Sequence, residues 1–557
     1  MTKHSEDFVF LPLGGVGEIG MNLALYGYGS PQNREWIMVD CGVTFPDHEL
    51  PGVDLVLPDI RFLEEERHNL KAIIITHAHE DHYGALNELW PLLKVPVYVT
   101  PFTAGMLEAK RAYERSRSEI PVTLFNAGDK FELGSFEIEA IAVNHSIPEP
   151  LSLAIKTPLG KAIHTGDWKI DHAPSLGPLT DENRFRELGD EGILAIMCDS
   201  TNAMREGASP TEQSISANLR NVIEEAPGRV AITSFSSNVG RIRSIAKAAE
   251  GAGRDVLLLG SSIKRVVSVA REVGLMEGIA NFLEEDEFGF IPRDKVVIIM
   301  TGSQGEPRAA LAKLSRDEMR HVALSKGDRV VFSARAIPGN EKPILNIKNS
   351  LIEMGIEIVE DSDELPIHVS GHPRRNELKQ MYDWVRPEIL VPVHGEAAHL
   401  TAHSKLASEH GIAHVPHVRN GDMLRLAPGE PEVIDNAPSG RIYKDGRFIG
   451  DYDELGISAR RKLSFAGHVS AQVLLNSRHE FHRDPMVSSF GLPEYDSAGD
   501  EIDDVIFDAI IGAVESIPRV RRKDLALVQE SVRRAIRAAV REEWGKKPIA
   551  TVFVDKI

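Results

Sequence analysis

In the stretch IIITHAHEDHYGAL, residues 73–86, three apolar β-branched residues run straight into His77, His79, Asp81 and His82. Imidazole is the commonest ligand for zinc and other transition ions, and a carboxylate serves well beside it. Alternate residues of a strand share a face, so His77 and His79 can reach one ion together. Asp81 and His82 lie past the strand's end and can point to a second. A polar surface loop explains a lone histidine but not HxHxDH directly after an apolar strand. Four other apolar runs also end in a ligand-type residue: Asp40 in IMVDCG, His145 in IAVNHS, Asp167 in IHTGDW and His394 in VPVHGE. Singly these read as a turn aspartate, a buried hydrogen-bonded histidine and a Gly-Asp turn. Together, strands of one sheet would gather them along one edge, and sites in sheet proteins commonly lie beyond strand ends.

The elements that must position these residues fall into four stretches. The first reads as strands separated by glycine-rich turns: FVFLPLGGVGEIGMNLALYGYG, EWIMVDCG, KAIIITHAH, FEIEAIAVNHS, KAIHTGDWK and ILAIMCDST. From about residue 211 strand-like runs alternate with helical ones: RVAITSF (229–235), DVLLLG (255–260), KVVIIM (295–300), DRVVFS (328–333) and IEIVE (356–360). That alternation predicts a parallel sheet with helices on its faces, inserted over residues 209–369. EILVPVHGE (388–396) returns to the first rhythm, and the Gly, Pro and Asp-rich stretch around 428–451 marks a boundary. The last hundred residues give more strands, an acidic helix start near 501 and a long helix. In it Leu525, Val528, Val532, Ile536 and Val540 form one apolar face, with Arg533, Arg534, Arg537 and Arg541 around the rest. That basic surface suits RNA, a subunit contact or plain solvation.

The whole-chain totals narrow the class. The chain has 557 residues, 42% hydrophobic and 26% charged, as an ordinary multidomain globular protein has. No apolar run is long enough to span a bilayer, and MTKHSEDFVF lacks the pattern of a secretory signal. Two cysteines, Cys41 and Cys198, exclude a disulfide framework and fit a reducing, cytoplasmic setting. The net charge of −20 argues against a nucleic-acid partner as a global sum. Bound metal ions can dominate a local field, however, and attract phosphate despite an acidic exterior.

HAHEDH, with a downstream histidine and a Gly-Asp, resembles the metallo-β-lactamase hydrolase superfamily. DST (199–201), HVSGH (368–372) and PVHGE (392–396) resemble its nucleic-acid-processing β-CASP branch. TGSQGEP (301–307), IPGNE (337–341) and the C-terminal extension are similar to the ribonuclease J family, and the likeness covers essentially the whole chain. The resemblance implies an α/β fold: a metallo-β-lactamase αββα sandwich at 1–208 and 370–450, the parallel-sheet β-CASP domain at 209–369, a linker at 451–460 and a small α+β domain at 461–557. It implies one zinc on His77, His79 and His145, a second on Asp81, His82 and His394, Asp167 bridging them, and Asp40 holding a ligand from behind. Other divalent ions, manganese among them, suit the same donors. Two ions can activate water at neutral pH and clamp the attacking and leaving oxygens. The implied activity is hydrolysis of single-stranded RNA, 5′→3′ and exonucleolytic with some internal cutting, leaving 5′-monophosphates. The expected assembly is a homodimer or homotetramer through the C-terminal domain.

The resemblance also puts His368 beside the scissile phosphate, as a proton donor to the leaving 3′ oxygen or a stabiliser of phosphorane charge; a hinge histidine is the plainer reading. Asp81 and Asp199 join it as catalytic residues. Asp199 either orients a neighbouring histidine or forms a turn. Phosphate contacts are expected from Ser237 and Asn238 in SFSSNVGR, Gly302 and Ser303 in TGSQGEP, and Ser370, Gly371 and His372 in HVSGH, where backbone N–H groups and hydroxyls can cradle anions. Gly240 departs from the family's SNVHR, which unsettles any contact made by that side chain. The glycine loop LGGVGEIGMN has GxGxxG-like spacing but runs into a strand, so a tight turn beside the metal site reads better than a dinucleotide fingerprint. RNA would enter between core and insertion, along a positive strip confined to that cleft. The rival readings are a two-metal hydrolase of a small ester, thioester or lactone, an RNA-binding scaffold with a dead site, and an endonuclease of a 3′-end processing complex. A small substrate needs no second wall, a dead site would have lost a ligand, and the C-terminal extension disfavours the third.

Overall fold

The computed structural model describes residues 6–114, 119–337 and 339–557. Pro338 of the IPGNE stretch lies outside the described residues. Two facing sheets build the core. The first has eight strands, in the order Glu432–Asn436, Asp422–Ala427, Asp7–Gly14, Leu23–Ser30, Asn33–Val39, Leu70–Ile74, Val97–Val99 and Val122–Leu124. The second has six, in the order Ile389–Val393, Ala195–Asp199, Gly160–His164, Leu151–Thr157, Phe136–Ala142 and Lys130–Leu133. Side chains alternate across each strand. Ile37 and Val39 therefore enter the core between the sheets, while Trp36 points outward and meets Phe62 of helix Arg61–Glu66 edge-on at 5.3 Å. Phe8, Tyr26 and Ile74 of the first sheet pack in one cluster with Phe136, Leu153, Met197 and Val391 of the second. The second sheet's far face, through Ile163, Ile196 and Leu390, is covered by Phe185, Leu378, Trp384 and Leu406 of helices Glu182–Glu191, Arg375–Val385 and Ala397–His410. The result is the expected αββα sandwich.

Strand direction explains where the ligand-type residues go. Asn33–Val39 and Leu70–Ile74 run parallel, and so do Gly160–His164, Ala195–Asp199 and Ile389–Val393. Their carboxyl ends, followed by Asp40, His77, Asp167 and His394, share one edge. Phe136–Ala142 reaches the same edge through two antiparallel steps and leads to His145.

The insertion is a five-stranded, wholly parallel sheet in the order Asp255–Leu259, Val296–Met300, Val230–Thr233, Arg329–Phe332 and Glu357–Glu360. These are the five runs expected from the sequence. It is fastened to the core by buried charges. Arg241, fully buried, donates to both oxygens of Glu212 at 3.0–3.1 Å, and to Ser333 Oγ and Ile367 O. Lys169 and Asp171 of the core pair at 2.9 Å, and Asp171 Oδ2 also accepts from the Glu212 N–H. Satisfied in this way, the charges tolerate burial; removing one partner leaves the other desolvated and alone.

A second compact unit comprises Phe45–Val56 and Ile442–Ile557. Residues 45–56 are held in this unit by Asp54, whose N–H donates to Lys444 O (2.8 Å) and whose Oδ2 accepts from Gly446 N–H (2.7 Å). The expected linker is structured too, since Asp451 Oδ1 accepts from two following N–H groups and helix Ile457–Ala466 begins within it. The C-terminal part places strands Met486–Phe490, His468–Leu475 and Ile549–Lys556 in one sheet against helices Ile502–Ser516 and Leu525–Trp544. Val528, Val532, Ile536 and Val540 are fully buried there, the face read from their spacing.

Replacing Arg241 by Met strands the Glu212 carboxylate in the interior. A loss of about 3–5 kcal/mol is expected, read by chemical unfolding, with part of it regained in the double variant Arg241→Met, Glu212→Leu.

Candidate metal centre

Each histidine at the strand edge spends one ring nitrogen on an outer partner and turns the other inward. His82 Nδ1 donates to Asp40 Oδ2 (2.8 Å), and His145 Nδ1 to the Gly371 carbonyl (2.7 Å). The Thr76 hydroxyl donates to Asp40, so at 3.0 Å it accepts from His77 Nδ1. Asn22 Nδ2 donates to Asp81 O, which turns Oδ1 toward His394 Nδ1 at 3.0 Å. His79 Nε2 lies 3.1 Å from Ser237 Oγ. These partners leave His77 Nε2, His145 Nε2 and His79 Nδ1 facing one another, at 3.1 Å and 3.0 Å from His79.

Burial drives His77 and His145 well below the ordinary imidazole value and His79 to about 4, so all three rings are neutral at neutral pH. His77 and His145 spend their one N–H outward and turn lone pairs inward, and His79 adds a third when its proton sits on Nε2, toward Ser237, so the donor set fits a metal ion. The carboxylates agree. Asp167 is buried, its Oδ1 has no partner, and its Oδ2 lies 3.3 Å from His82 Nε2 and 3.5 Å from both His145 Nε2 and His394 Nε2. Among the described residues three donor groups result, His77, His79, His145 and Asp167, then Asp81, His82, Asp167 and His394, then Asp199, His372 and His394, with the ligand atoms of each within 4.8 Å of one another. Asp167 belongs to the first two.

Tight backbone geometry supports the cluster. Asp40 (φ 64°) and His394 (φ 54°) adopt the left-handed region, uncommon for residues other than glycine. Hydrogen bonds hold them there: Asp40 N–H to Ile74 O, and His394 N–H to Gly15 O of the glycine loop. That loop also pairs Val16–Gly17 with Gly395–Glu396. It is the tight turn beside the site rather than a dinucleotide fingerprint. At Gly371 a Cβ would stand 2.5 Å from the His145 ring, so a side chain there would displace the ligand.

The remaining expected residues divide. Asp199 takes both roles open to it: Oδ1 accepts from Thr201 N–H in a turn, and Oδ2 accepts from His372 Nδ1 at 2.7 Å. His372 borders the cluster, its ring centre 5.0 Å from that of His145 and 5.5 Å from that of His394. Burial lowers its pKa, but Asp199 and Asp167 outweigh this and raise it to about 9. His368, expected beside the reacting phosphate, lies apart from that group. Its N–H donates to Asp361 Oδ1, and its Nδ1 is buried without a partner. Burial, with Arg241 and Arg335 nearby, drives it to about 3. The three residues between the two histidines carry the chain from the Arg241 contact at Ile367 to the metal edge, where His372 lies.

Ser370 Oγ accepts from Asn202, Ser237 meets His79, and Asn238 Oδ1 caps helix Val239–Gly251. Gly302 and Ser303 follow strand Val296–Met300, with Ser303 buried beside Gln304. At Gly240 a Cβ would approach Ser175 Oγ to 2.4 Å, so a larger residue would require the neighbouring loop to shift. Asn22 was not singled out from the sequence. Its only signal is its place directly after the glycine loop.

Four family models match the chain: a beta-lactamase superfamily domain over 35–206, a ribonuclease J beta-CASP domain over 227–351, a Zn-dependent metallo-hydrolase RNA specificity domain over 366–416 and a ribonuclease J C-terminal domain over 455–557. The chain is 69% identical to ribonuclease J of Sinorhizobium meliloti over 99% of this chain and 98% of that one. It is 34% identical to ribonuclease J of Mycobacterium tuberculosis strain H37Rv over 98% and 96%. A solved structure of a protein of unknown function from Enterococcus faecalis V583 shares the fold, with a TM-score of 0.52 and 16% identity over 75% of this chain and 100% of that one. Among the described residues no helix is long and apolar enough to cross a membrane.

Asp40→Asn places an amide against the His82 and Thr76 donors, and a 10–100-fold loss of metal affinity is expected, read by competition with a chromophoric chelator. Away from the ligands, burial only partly offset by Asp199 holds His403 at about 4. The unfolded chain therefore takes up that proton first, and stability falls as pH drops from about 6.5 toward 4. His403→Gln should flatten the loss between pH 7 and 5 by about 2 kcal/mol, seen as a smaller drop in the thermal midpoint of metal-free protein.

Proposed function

This chain belongs to the ribonuclease J family of metal-dependent ribonucleases, and from that premise we propose that it uses two zinc ions to remove 5′-monophosphate nucleotides from the 5′ end of single-stranded RNA, with internal cutting as a second activity. The observation that carries this reading is the pair of donor groups that share Asp167. His77, His79 and His145 would hold one ion, Asp81, His82 and His394 the other, with Asp167 between. Bound there, the ions would supply an activated water at neutral pH and positive charge on the phosphate oxygens.

The protein's own groups supply the rest. Asp40, Asn22, Gly371 O and Ser237 fix the rings, so the donor atoms need little rearrangement as substrate binds. His372 is the proton donor to the leaving 3′ oxygen: Asp199 holds its Nδ1–H and leaves Nε2 to carry and deliver the proton. His368, buried and neutral, supports the loop. Ser370 and the N–H groups of HVSGH lie beside His372 and suit a phosphate of the substrate. The cellular setting is the cytoplasm, in RNA maturation and decay. Self-association through the C-terminal domain is supported by its sheet, where Phe490 and Phe553 are 71% and 56% exposed.

The test is a 5′-monophosphorylated RNA labelled at its 5′ end. Zinc-loaded protein should release labelled mononucleotide, and His77→Ala should abolish release. His372→Ala should lower kcat by about 10²–10⁴ with RNA binding retained, and His368→Ala should stay far closer to wild type. Short labelled fragments in place of mononucleotide would make the enzyme an endonuclease. Turnover of a simple ester with RNA left intact would sink the ribonuclease reading in favour of a small-substrate hydrolase.

A further inference from the structure

The region from residue 517 to 547 inverts the charge of the chain. It holds ten Lys and Arg against four Asp and Glu, whereas the whole chain holds 63 against 83. Four of these cations lie on helix Leu525–Trp544, away from the side that Val528, Val532, Ile536 and Val540 commit to the core. Arg533, Arg537 and Arg541 recur every fourth residue, about 6 Å apart along the axis. With Arg534 and Lys547 they line an open groove of about 450 Å³ that contains one acidic residue, Glu542.

Three observations set this groove apart from a solvated helix face. Arginines four residues apart repel one another and weaken the helix, and here two such pairs follow in line with no acid between them. Favourable interaction with the helix dipole accounts for a cation in the last turn, where Arg541 sits, but not for Arg533, Arg534 and Arg537 further back. The internal counter-charge is thin: Arg533 and Arg534 share the single carboxylate of Glu530, and among the described residues Arg537, Arg541 and Lys547 make no ion pair. Arg537 Nε is buried without an acceptor. The groove thus holds a row of cations, one with an orphaned donor, open to an extended anion.

We infer that this groove is a second RNA-binding surface, which grips the phosphate backbone of the substrate through Arg537, Arg541 and Lys547 independently of the metal centre. The occupant is single-stranded RNA because the enzyme's substrate is a polyanion and the groove offers regularly spaced cations with no apolar floor: its lining is Arg, Lys, Glu and one Ala. Aromatic stacking platforms are absent from that lining, so the grip is electrostatic and indifferent to base sequence. The inference rests on RNA being the substrate.

The experiment uses the full chain in chelator, so that binding is measured without cleavage, and fluorescently labelled RNAs of about 5 and about 30 nucleotides, below and above the span of a single site. Charge reversal by R537E/R541E/K547E should weaken binding of the long RNA tenfold or more and lower its salt slope by about 2, at roughly 0.7 per lost phosphate contact. Affinity for the short RNA, and kcat on it once metal is restored, should not change. R537K/R541K should bind like wild type. Crosslinks from 4-thiouridine-substituted long RNA to wild-type protein should map to residues 533–547, a readout that needs no variant to fold. Equal affinity and equal salt slope in the charge-reversed protein, or crosslinks confined to the metal-site loops, would overturn the inference. So would a loss of affinity that appears only with a fall in subunit mass on sedimentation, because the groove would then seat a second copy. A wild type that cleaves RNA while the groove variant stays indifferent removes this surface alone. A wild type that neither binds nor cleaves RNA removes the ribonuclease reading itself.

Discussion

Inside the core, ring nitrogens of three histidines face one another across 3.0–3.1 Å, with at most the one proton of His79 among them. That arrangement is crowded with lone pairs and suits a cation, and a free chain would relax it by rotating the rings. It persists because the outward nitrogens are tied down. Asp40 binds His82 and Thr76, Thr76 binds His77, the Gly371 carbonyl binds His145, and Asn22 binds His394. These anchors come from the ends of two strands of the first sheet, from the glycine loop and from the segment that closes the insertion. The sandwich, its parallel strand ends and the left-handed turns at Asp40 and His394 all serve to hold these anchors in register. Residues in such conformations each cost of order 1–3 kcal/mol and survive only where surrounding structure over-determines them.

Much of this was legible because it follows from period and direction. An apolar strand that ends in a ligand is visible in the chain, and parallel strands must deliver their carboxyl ends to one edge. Four strands of the insertion were readable for a similar reason: buried on both faces, they appear as continuous apolar runs, while the edge strand Glu357–Glu360 is half-exposed. What escaped the sequence was long-range and polar. Asn22 meets a histidine 372 residues away, and nothing local distinguishes it from a turn asparagine. Nothing local marks Arg241 as buried, because a buried arginine is recognisable only by its distant partners, Glu212, Ser333 and the Ile367 carbonyl. Residues 45–56 belong to the second unit through Asp54, whose backbone meets residue 444 and whose carboxylate meets the N–H of residue 446, partners far along the chain that no local pattern reveals.

The pair His368 and His372 shows what a motif leaves undecided. HVSGH offers two imidazoles four residues apart in an irregular segment, where neither helical nor strand period assigns a face. The assignment is made by what each meets. Ile367 O is held by Arg241, which fixes His368 in an apolar and cationic surrounding that keeps it neutral. Four residues on, Asp199 turns from the end of its strand and captures His372 Nδ1. An imidazole paired on one nitrogen and facing the metal edge with the other has a defined tautomer and a defined task. His368, buried away from that edge with Nδ1 unpaired, is left to support the loop.

The acidity of the chain sharpens the electrostatic problem. A protein of net charge −20 must attract a polyanion. The buried cations behind the metal edge do not help, because Lys169 is neutralised by Asp171 and Arg241 by Glu212. A positive strip along the cleft would need cations without internal partners, and these residues have them. At the site itself, attraction falls to the bound ions, whose charge dominates a poorly solvated pocket. Such a field is strong at contact and short in range, since salt screens it within about 10 Å. Capturing an RNA from solution and holding it between successive cuts calls for cations exposed to solvent and free of internal acids. In the described residues the unpaired, one-sided row from Arg537 to Lys547 has that character, which is why its neutralisation should be felt by long RNAs and not by short ones.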